Sequence, residues 1–123
     1  MKFRSVRCAG LHYLIDLNGV SPEILTNDDL IRHTLIEAAK DAGATVLGDF
    51  FHHFGRTEEY GVTGVIALSE SHISIHTWPE IGYAAIDIFM CGNCDPVNSL
   101  PRIFEVFQPT THEVKELARG IMK

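Results

Sequence analysis

An α+β fold, a mainly antiparallel sheet with two helices on one face, is the architecture this sequence predicts. Three observations lead to it. Several strand-like runs follow one another with no helix between them, which favours an antiparallel sheet over a doubly wound one. Two stretches suit helices, one with its apolar residues at helical spacing and one behind a helix-start signal. The 123 residues suffice for one domain with one modest core. Two helices can cover only one side of such a sheet, giving a two-layer sandwich. Its other side is then a candidate to pack on the sheet of a second copy in a dimer.

Leu11, Tyr13, Ile15 and Leu17 alternate with His12, Leu14 and Asp16, the period of a strand with one core face. Asn18-Gly19 and Ser21-Pro22 mark a turn and loop. Thr26 or Asn27 can cap a helix that carries Asp28 and Asp29 in its first turn. Ile31, Leu35, Ala38 and Ala39 form its apolar stripe, and Gly43 ends it. Residues 44–54 read as a strand and 55–61 as a polar loop. Val62–Leu68 and His72–Thr77 are further strands; in the second, Ile73 and Ile75 oppose His72, Ser74 and His76. Pro79 stops it. Tyr83–Met90 is apolar at nearly every position, the pattern of a strand buried on both faces. A second helix covers roughly 99–107, starting at Asp95-Pro96 or, because Pro101 suits an N-terminus, at Ser99. His112–Arg119 is a last strand with imperfect alternation. Phe50, Phe51, Trp78 and Tyr83 read as core.

The net charge of −6 argues against nucleic acid as the main partner, since a basic face is the usual footprint. No apolar run reaches the ~18–20 residues that span a bilayer. The polar N-terminal stretch reads as no signal peptide, and the chain as cytoplasmic with three free thiols.

The chemistry concentrates at Leu68-Ser69-Glu70-Ser71-His72, where a hydroxyl follows a glutamate at the junction of two strands. A serine needs a base and a polarised carbonyl, and the nearest carbonyl is that of Glu70. Attack on it turns the amide into an ester. Elimination leaves dehydroalanine, which hydrolyses to a pyruvoyl group. Such an α-keto amide can form a Schiff base with an amine and accept the electrons released by decarboxylation. A thiol or histidine must then return a proton. A Ser-His pair on a strand is more often structural, and Cys91-Gly92-Asn93-Cys94 could equally be half a zinc site or a redox pair. No second Cys-x-x-Cys completes a zinc site. His72 and His76, ~13 Å apart along a strand, cannot share one ion.

Gly61-Val62-Thr63-Gly64-Val65, Ser69-Glu70-Ser71-His72, His76-Thr77-Trp78-Pro79-Glu80, Gly82-Tyr83-Ala84-Ala85-Ile86-Asp87 and Cys91-Gly92 resemble the motifs of the pyruvoyl-dependent S-adenosylmethionine decarboxylases in their short prokaryotic form. The likeness covers most of residues 10–107 and is strongest from 60 to 92. It implies self-cleavage between Glu70 and Ser71 into residues 1–70 and 71–123, with Ser71 becoming the covalent pyruvoyl cofactor. His76 would assist processing, Thr63 would supply the hydroxyl that the family commonly takes from serine, and Cys91 would donate the proton in turnover. Phe54 falls where the family stacks a ring on adenine, and Glu80 would help hold the substrate. The implied enzyme decarboxylates S-adenosylmethionine, giving the aminopropyl donor for spermidine biosynthesis, and works as a homodimer of cleaved protomers with sites near the interface. No metal is implied.

The 55–59 loop departs from the family pattern. It is a few residues longer than usual and holds Arg56, Glu58 and Glu59. An acidic loop there could pair with a basic side chain, so a pyruvoyl-dependent arginine or ornithine decarboxylase is the alternative enzyme. A non-catalytic member that binds a nucleoside or a partner is the alternative of another class.

Overall fold

The structure is a computed structural model that describes residues 7–55 and 60–122. Arg56, Glu58 and Glu59 lie outside the described residues. The chain forms one antiparallel sheet of β1 (Gly10–Asn18), β2 (Val46–His53), β3 (Val62–Leu68), β4 (Ser71–Trp78), β5 (Tyr83–Cys91) and β6 (Thr111–Arg119). Their spatial order is β2-β3-β4-β5-β1-β6. Strands β2 to β5 form a meander because their connections are short. Strand β1 inserts between β5 and β6 in full antiparallel register, from Gly10 opposite both Cys91 and Arg119.

Helices α1 (Pro22–Leu25), α2 (Asp28–Asp41) and α3 (Leu100–Phe107) complete the described elements, with 3-10 turns at Pro79–Ile81 and Pro96–Ser99. Asn27 caps α2 by accepting from the Leu30 amide at 3.0 Å. Gly43 beyond its end takes φ +88°, a conformation open to glycine at little cost. The expected stripe of Ile31, Leu35, Ala38 and Ala39 is fully buried. It faces Ile15 and Leu17 of β1, Ile73 and Ile75 of β4, and Ile86 and Ile88 of β5, all within 1% of complete burial. Each such side chain contributes roughly 1.5–3 kcal/mol by leaving water.

Three local expectations change. The loop after Asn18 contains one turn of helix, α1, because Ser21 caps it and Pro22 presets its first residue. Both proposed starts of the second helix are used. Asp95 caps the 3-10 turn through the Val97 amide at 3.2 Å, and Ser99 precedes α3. The Ser99 hydroxyl does not cap α3; it donates to the Ala38 carbonyl at 2.8 Å and ties the two helices together. Strand β5 is buried on one face only. Ala84, Ile86, Ile88 and Met90 point to the helices, while Tyr83, Ala85, Asp87 and Phe89 are half-buried on the opposite face. The same face shows Phe50, Val65 and Trp78 to solvent, so Phe50 and Trp78 are not core residues. Apolar composition marks a strand that dislikes water without saying which of its faces is covered.

Candidate active site

The β3–β4 connection is a two-residue turn, Ser69-Glu70, between the paired residues Leu68 and Ser71. Hairpin turns of this length usually need positive φ at their central residues, hence glycine or asparagine. Neither Ser69 nor Glu70 has it; Ser71 does, at φ 149°. A side-chain-bearing residue held there carries strain of roughly 1–3 kcal/mol and persists only where its surroundings impose it.

Those surroundings are specific. The Cys91 amide donates to the Glu70 carbonyl at 3.1 Å, and the Cys91 thiol donates to the same oxygen at 3.1 Å. The Glu70 carboxylate accepts from the Thr45 amide at 2.9 Å, and the Ser69 amide donates to the Thr45 carbonyl at 3.0 Å. Cys91 reaches Glu70 because β4 and β5 pair antiparallel with Ser71 opposite Met90. Two donors on one carbonyl oxygen, next to a hydroxyl on the following residue, polarise the carbon that this hydroxyl can attack.

Beside this turn lies a cavity of about 450 Å³ whose lining includes Arg7, Cys8, Cys91, Cys94 and Asp95. All three cysteines are free thiols. The Cys94 thiol is pushed up from its ordinary pKa, first by burial and then by the nearby Glu70 and Cys91. Among the described residues no three histidine, cysteine or acidic side chains stand close enough to hold a metal ion.

Thr63, His76, Phe54 and Glu80 gather at the opposite end of the hairpin. Thr63 pairs directly with His76, and Thr63 Oγ1 lies 3.2 Å from His76 Nδ1, which orients the imidazole. The pair borders a pocket of about 360 Å³ walled by Phe54, Tyr60 and Trp78, with Glu80 at its edge. Trp78 stacks on Tyr83 with centroids 5.1 Å apart, and His52 meets the Phe54 ring edge-on at 4.7 Å. Gly61 stands just before β3, where a β-carbon would strike the Thr77 carbonyl. Thr77 itself is buried, donating to the Leu25 carbonyl at 2.7 Å and accepting from the Val62 amide at 2.8 Å. That network sets the end of the hairpin against α1.

The structure therefore divides the expected site residues into two groups. Glu70, Ser71 and Cys91 meet at the turn; Thr63, His76, Phe54 and Glu80 meet at the far end. Five residues of extended strand, ~16 Å, separate Ser71 from His76.

A sequence profile described as S-adenosylmethionine decarboxylase matches residues 11–120. The chain belongs to the S-adenosylmethionine decarboxylase family. It is 43% identical over 117 residues to the S-adenosylmethionine decarboxylase proenzyme of Thermococcus gammatolerans, an alignment covering 94% of this chain and 80% of the relative. The proenzyme of Thermodesulfovibrio yellowstonii is 40% identical over 114 residues, covering 92% and 82%. The crystal structure of the adenosylmethionine decarboxylase from Aquifex aeolicus superposes with a TM-score of 0.82 at 34% identity, covering 95% of each chain.

Sequence reasoning missed two features. Tyr60 and Trp78 line the pocket at the far end, and no local pattern distinguishes such rings from core rings. His12 is the second: its Nε2 is buried without a hydrogen bond, 3.5 Å from Asp87 Oδ1, on the helix-free side of β1 near its Gly10 end. Its alternation with Leu11 and Tyr13 was the available signal.

Proposed function

We infer that the chain decarboxylates S-adenosylmethionine, yielding the aminopropyl donor of spermidine biosynthesis, after cutting itself between Glu70 and Ser71. The observation that carries the self-cutting is the Glu70 carbonyl, gripped by the amide and thiol of Cys91, directly before a strained serine. Ser71 Oγ attacks that carbonyl, the Cys91 donors stabilise the oxyanion, and the peptide becomes an ester as the nitrogen departs. Strain at Ser71 is relieved as the peptide opens. Loss of the Ser71 α-proton then expels the Glu70 carboxylate and leaves dehydroalanine. Water enters and ammonia leaves, so that residue 71 heads the 71–123 fragment as a pyruvoyl group.

The residues present fit that group: a hydroxyl follows a polarised carbonyl, and a thiol stands within reach. A pyruvoyl group supplies the sink for the electron pair released as carbon dioxide leaves. Cys91 returns a proton to the substrate carbon. Phe54, Tyr60 and Trp78 offer ring faces to an adenine and to a sulfonium cation, and Glu80 adds a carboxylate to either the ribose hydroxyls or the cation.

His76 and Thr63 act in processing, and they act from a second copy. Their own Ser71 is ~16 Å away. A homodimer packing its helix-free faces together around a two-fold axis runs each β4 against the other. That arrangement delivers His76 of the partner subunit to the turn end of the first, and each site draws on both chains. The free thiols at Cys8, Cys91 and Cys94 support a cytoplasmic setting.

The test is intact mass combined with carbon dioxide release. The wild-type chain yields two fragments, the 71–123 fragment with a blocked N-terminus, and releases carbon dioxide from S-adenosylmethionine but not from arginine or ornithine. Ser71→Ala stays whole and inactive. An active, uncut Ser71→Ala enzyme refutes the self-cleavage; release from arginine or ornithine alone refutes the substrate.

A further inference from the structure

We propose that self-cleavage makes a second working group, the new α-carboxylate of Glu70, which remains against Cys91 and holds that thiol protonated for its task as the acid of decarboxylation. The proposal rests on the self-cleavage reading above and extends it to the far side of the broken bond.

The atoms follow from the chemistry. The carboxylate released by elimination consists of the Glu70 carbonyl carbon, its original oxygen and the former Ser71 Oγ. The original oxygen is the one that already accepts from both the amide and the thiol of Cys91 at 3.1 Å. Breaking the Glu70–Ser71 link touches neither of these bonds. It also leaves the Glu70 side chain on the Thr45 amide at 2.9 Å and the Ser69 amide on the Thr45 carbonyl at 3.0 Å. Four hydrogen bonds thus hold the new terminus in place. An amide oxygen, neutral in the precursor, becomes an anion at the same contact.

An anion that accepts from S–H favours the thiol over the thiolate by charge repulsion and by a stronger hydrogen bond. The precursor and the mature enzyme then need different things from one side chain, and both are met. Before the cut, Cys91 is a neutral donor that stabilises an oxyanion. After it, Cys91 is a reservoir for the proton the substrate carbon receives.

Other charges face this thiol. Arg7 lies before β1, Asp95 and the Cys94 thiol follow β5, and Cys8 completes the lining. The Glu70 γ-carboxylate is close enough to push the Cys94 thiol up, second only to burial. All of these are present before and after cleavage, so a comparison of the two forms isolates the new carboxylate.

The experiment follows alkylation of Cys91 by iodoacetamide against pH, resolved from Cys8 and Cys94 by peptide mass mapping. Three forms are compared: cleaved wild type, uncut Ser71→Ala and His76→Ala, the last stalled as precursor or ester with Glu70 still uncharged at its carbonyl. The midpoint for Cys91 is expected about one pH unit or more higher in the cleaved protein, equal to alkylation about tenfold or more slower below the midpoint. The plateau rate at high pH controls for access. A plateau that changes while the midpoint stays overturns the proposal, as does a midpoint that stays or falls. Glu70→Gln removes the side-chain charge and keeps the α-carboxylate, so its cleaved form retains the raised midpoint; loss of the rise assigns the effect to the side chain and refutes the proposal. His76→Ala also removes an imidazole that the dimer brings to the turn end, so Ser71→Ala decides the comparison, and Ser71→Gly, which likewise lacks the attacking hydroxyl and suits the positive φ, replaces it should it fail to fold. Intact mass separates the two readings: a wild-type chain that never cleaves sinks the self-cleavage itself, whereas a cleaved chain with an unshifted Cys91 sinks only this extension.

Discussion

At the turn end of the β3–β4 hairpin, Glu70 is held by two bonds from Cys91 and one from Thr45, and Ser71 takes a positive φ. At the other end, Thr63 and an exposed His76 border an open pocket walled by rings. The turn end has its backbone in place and stores strain, which suits a single irreversible event. The far end has side chains on regular strand, free to meet a ligand and let it go. On the function proposed above, one hairpin carries two half-sites of different character. Strand geometry, ~3.3 Å per residue, keeps them from meeting within one chain.

The strongest way to break this comparison is complementation. Ser71→Ala and His76→Ala are each expected to stay uncut or stall alone. Mixed in one dimer, they restore one complete site, and the His76→Ala chain is cleaved to pyruvoyl while the Ser71→Ala chain stays whole. Intact mass reads both outcomes. Cleavage of neither chain in verified mixed dimers would place all the machinery in a single protomer.

Cys91→Ala sharpens the difference between the two tasks of the turn end. The backbone amide still holds the Glu70 carbonyl, so cleavage continues at a lower rate. Turnover loses its acid, and kcat is expected to fall on the order of 100-fold with KM little changed. Steady-state kinetics on fully cleaved protein decides it; an undiminished kcat removes Cys91 from its role.

Phe54→Ala acts on the far end alone. Loss of one stacking face is expected to raise KM for S-adenosylmethionine several-fold, about tenfold at most, and to leave cleavage untouched. A slowed cleavage would mean that the two ends are not separable.

The smallest effect concerns the wall behind the pocket. Tyr83, which stacks on Trp78, donates to Asp16 at 2.6 Å, and this bond, with burial, pushes the phenol up to about 12. The folded value lies above the unfolded value of about 10. The bond's contribution is therefore complete below pH 10 and is lost as pH rises through 12. The loss is on the order of 1 kcal/mol. Denaturant melts of Tyr83→Phe are expected to show lower stability at pH 8 and a shallower alkaline decline; parallel declines would deny the bond a part in stability.

Much of the fold was legible. Alternation in β1 and β4 and the Ile31-Leu35-Ala38-Ala39 stripe report which face each element buries, since that is a property of neighbours in sequence. The ends of elements were read less well. The helical turn at Pro22 and the double start before α3 had local signals in Ser21-Pro22 and Asp95-Pro96, but that Ser99 serves Ala38 and Thr77 serves Leu25, far along the chain, was not readable from neighbours. Phe50 and Trp78 were misplaced because an aromatic strand residue looks the same whether a helix or solvent lies above it. Glu70, Ser71, Cys91, Thr63, His76, Phe54 and Glu80 were named in advance by resemblance, but Tyr60 and Trp78 beside them were not, and neither was the division into two groups.

By itself the sequence determined the chemical inventory and the faces of the clearly alternating strands: a serine after a glutamate, a thiol beyond the next strand, and imidazoles on the side of β4 opposite Ile73 and Ile75. These follow from residue type and from a period of two, both local. Only the tertiary structure decided which of these groups touch. Cys91 meets the carbonyl of Glu70 across 21 positions because β4 and β5 run antiparallel in one register, and His76 is parted from Ser71 because a strand is straight. Register is a relation between strands, set by how the whole sheet packs, and no short window of letters contains it.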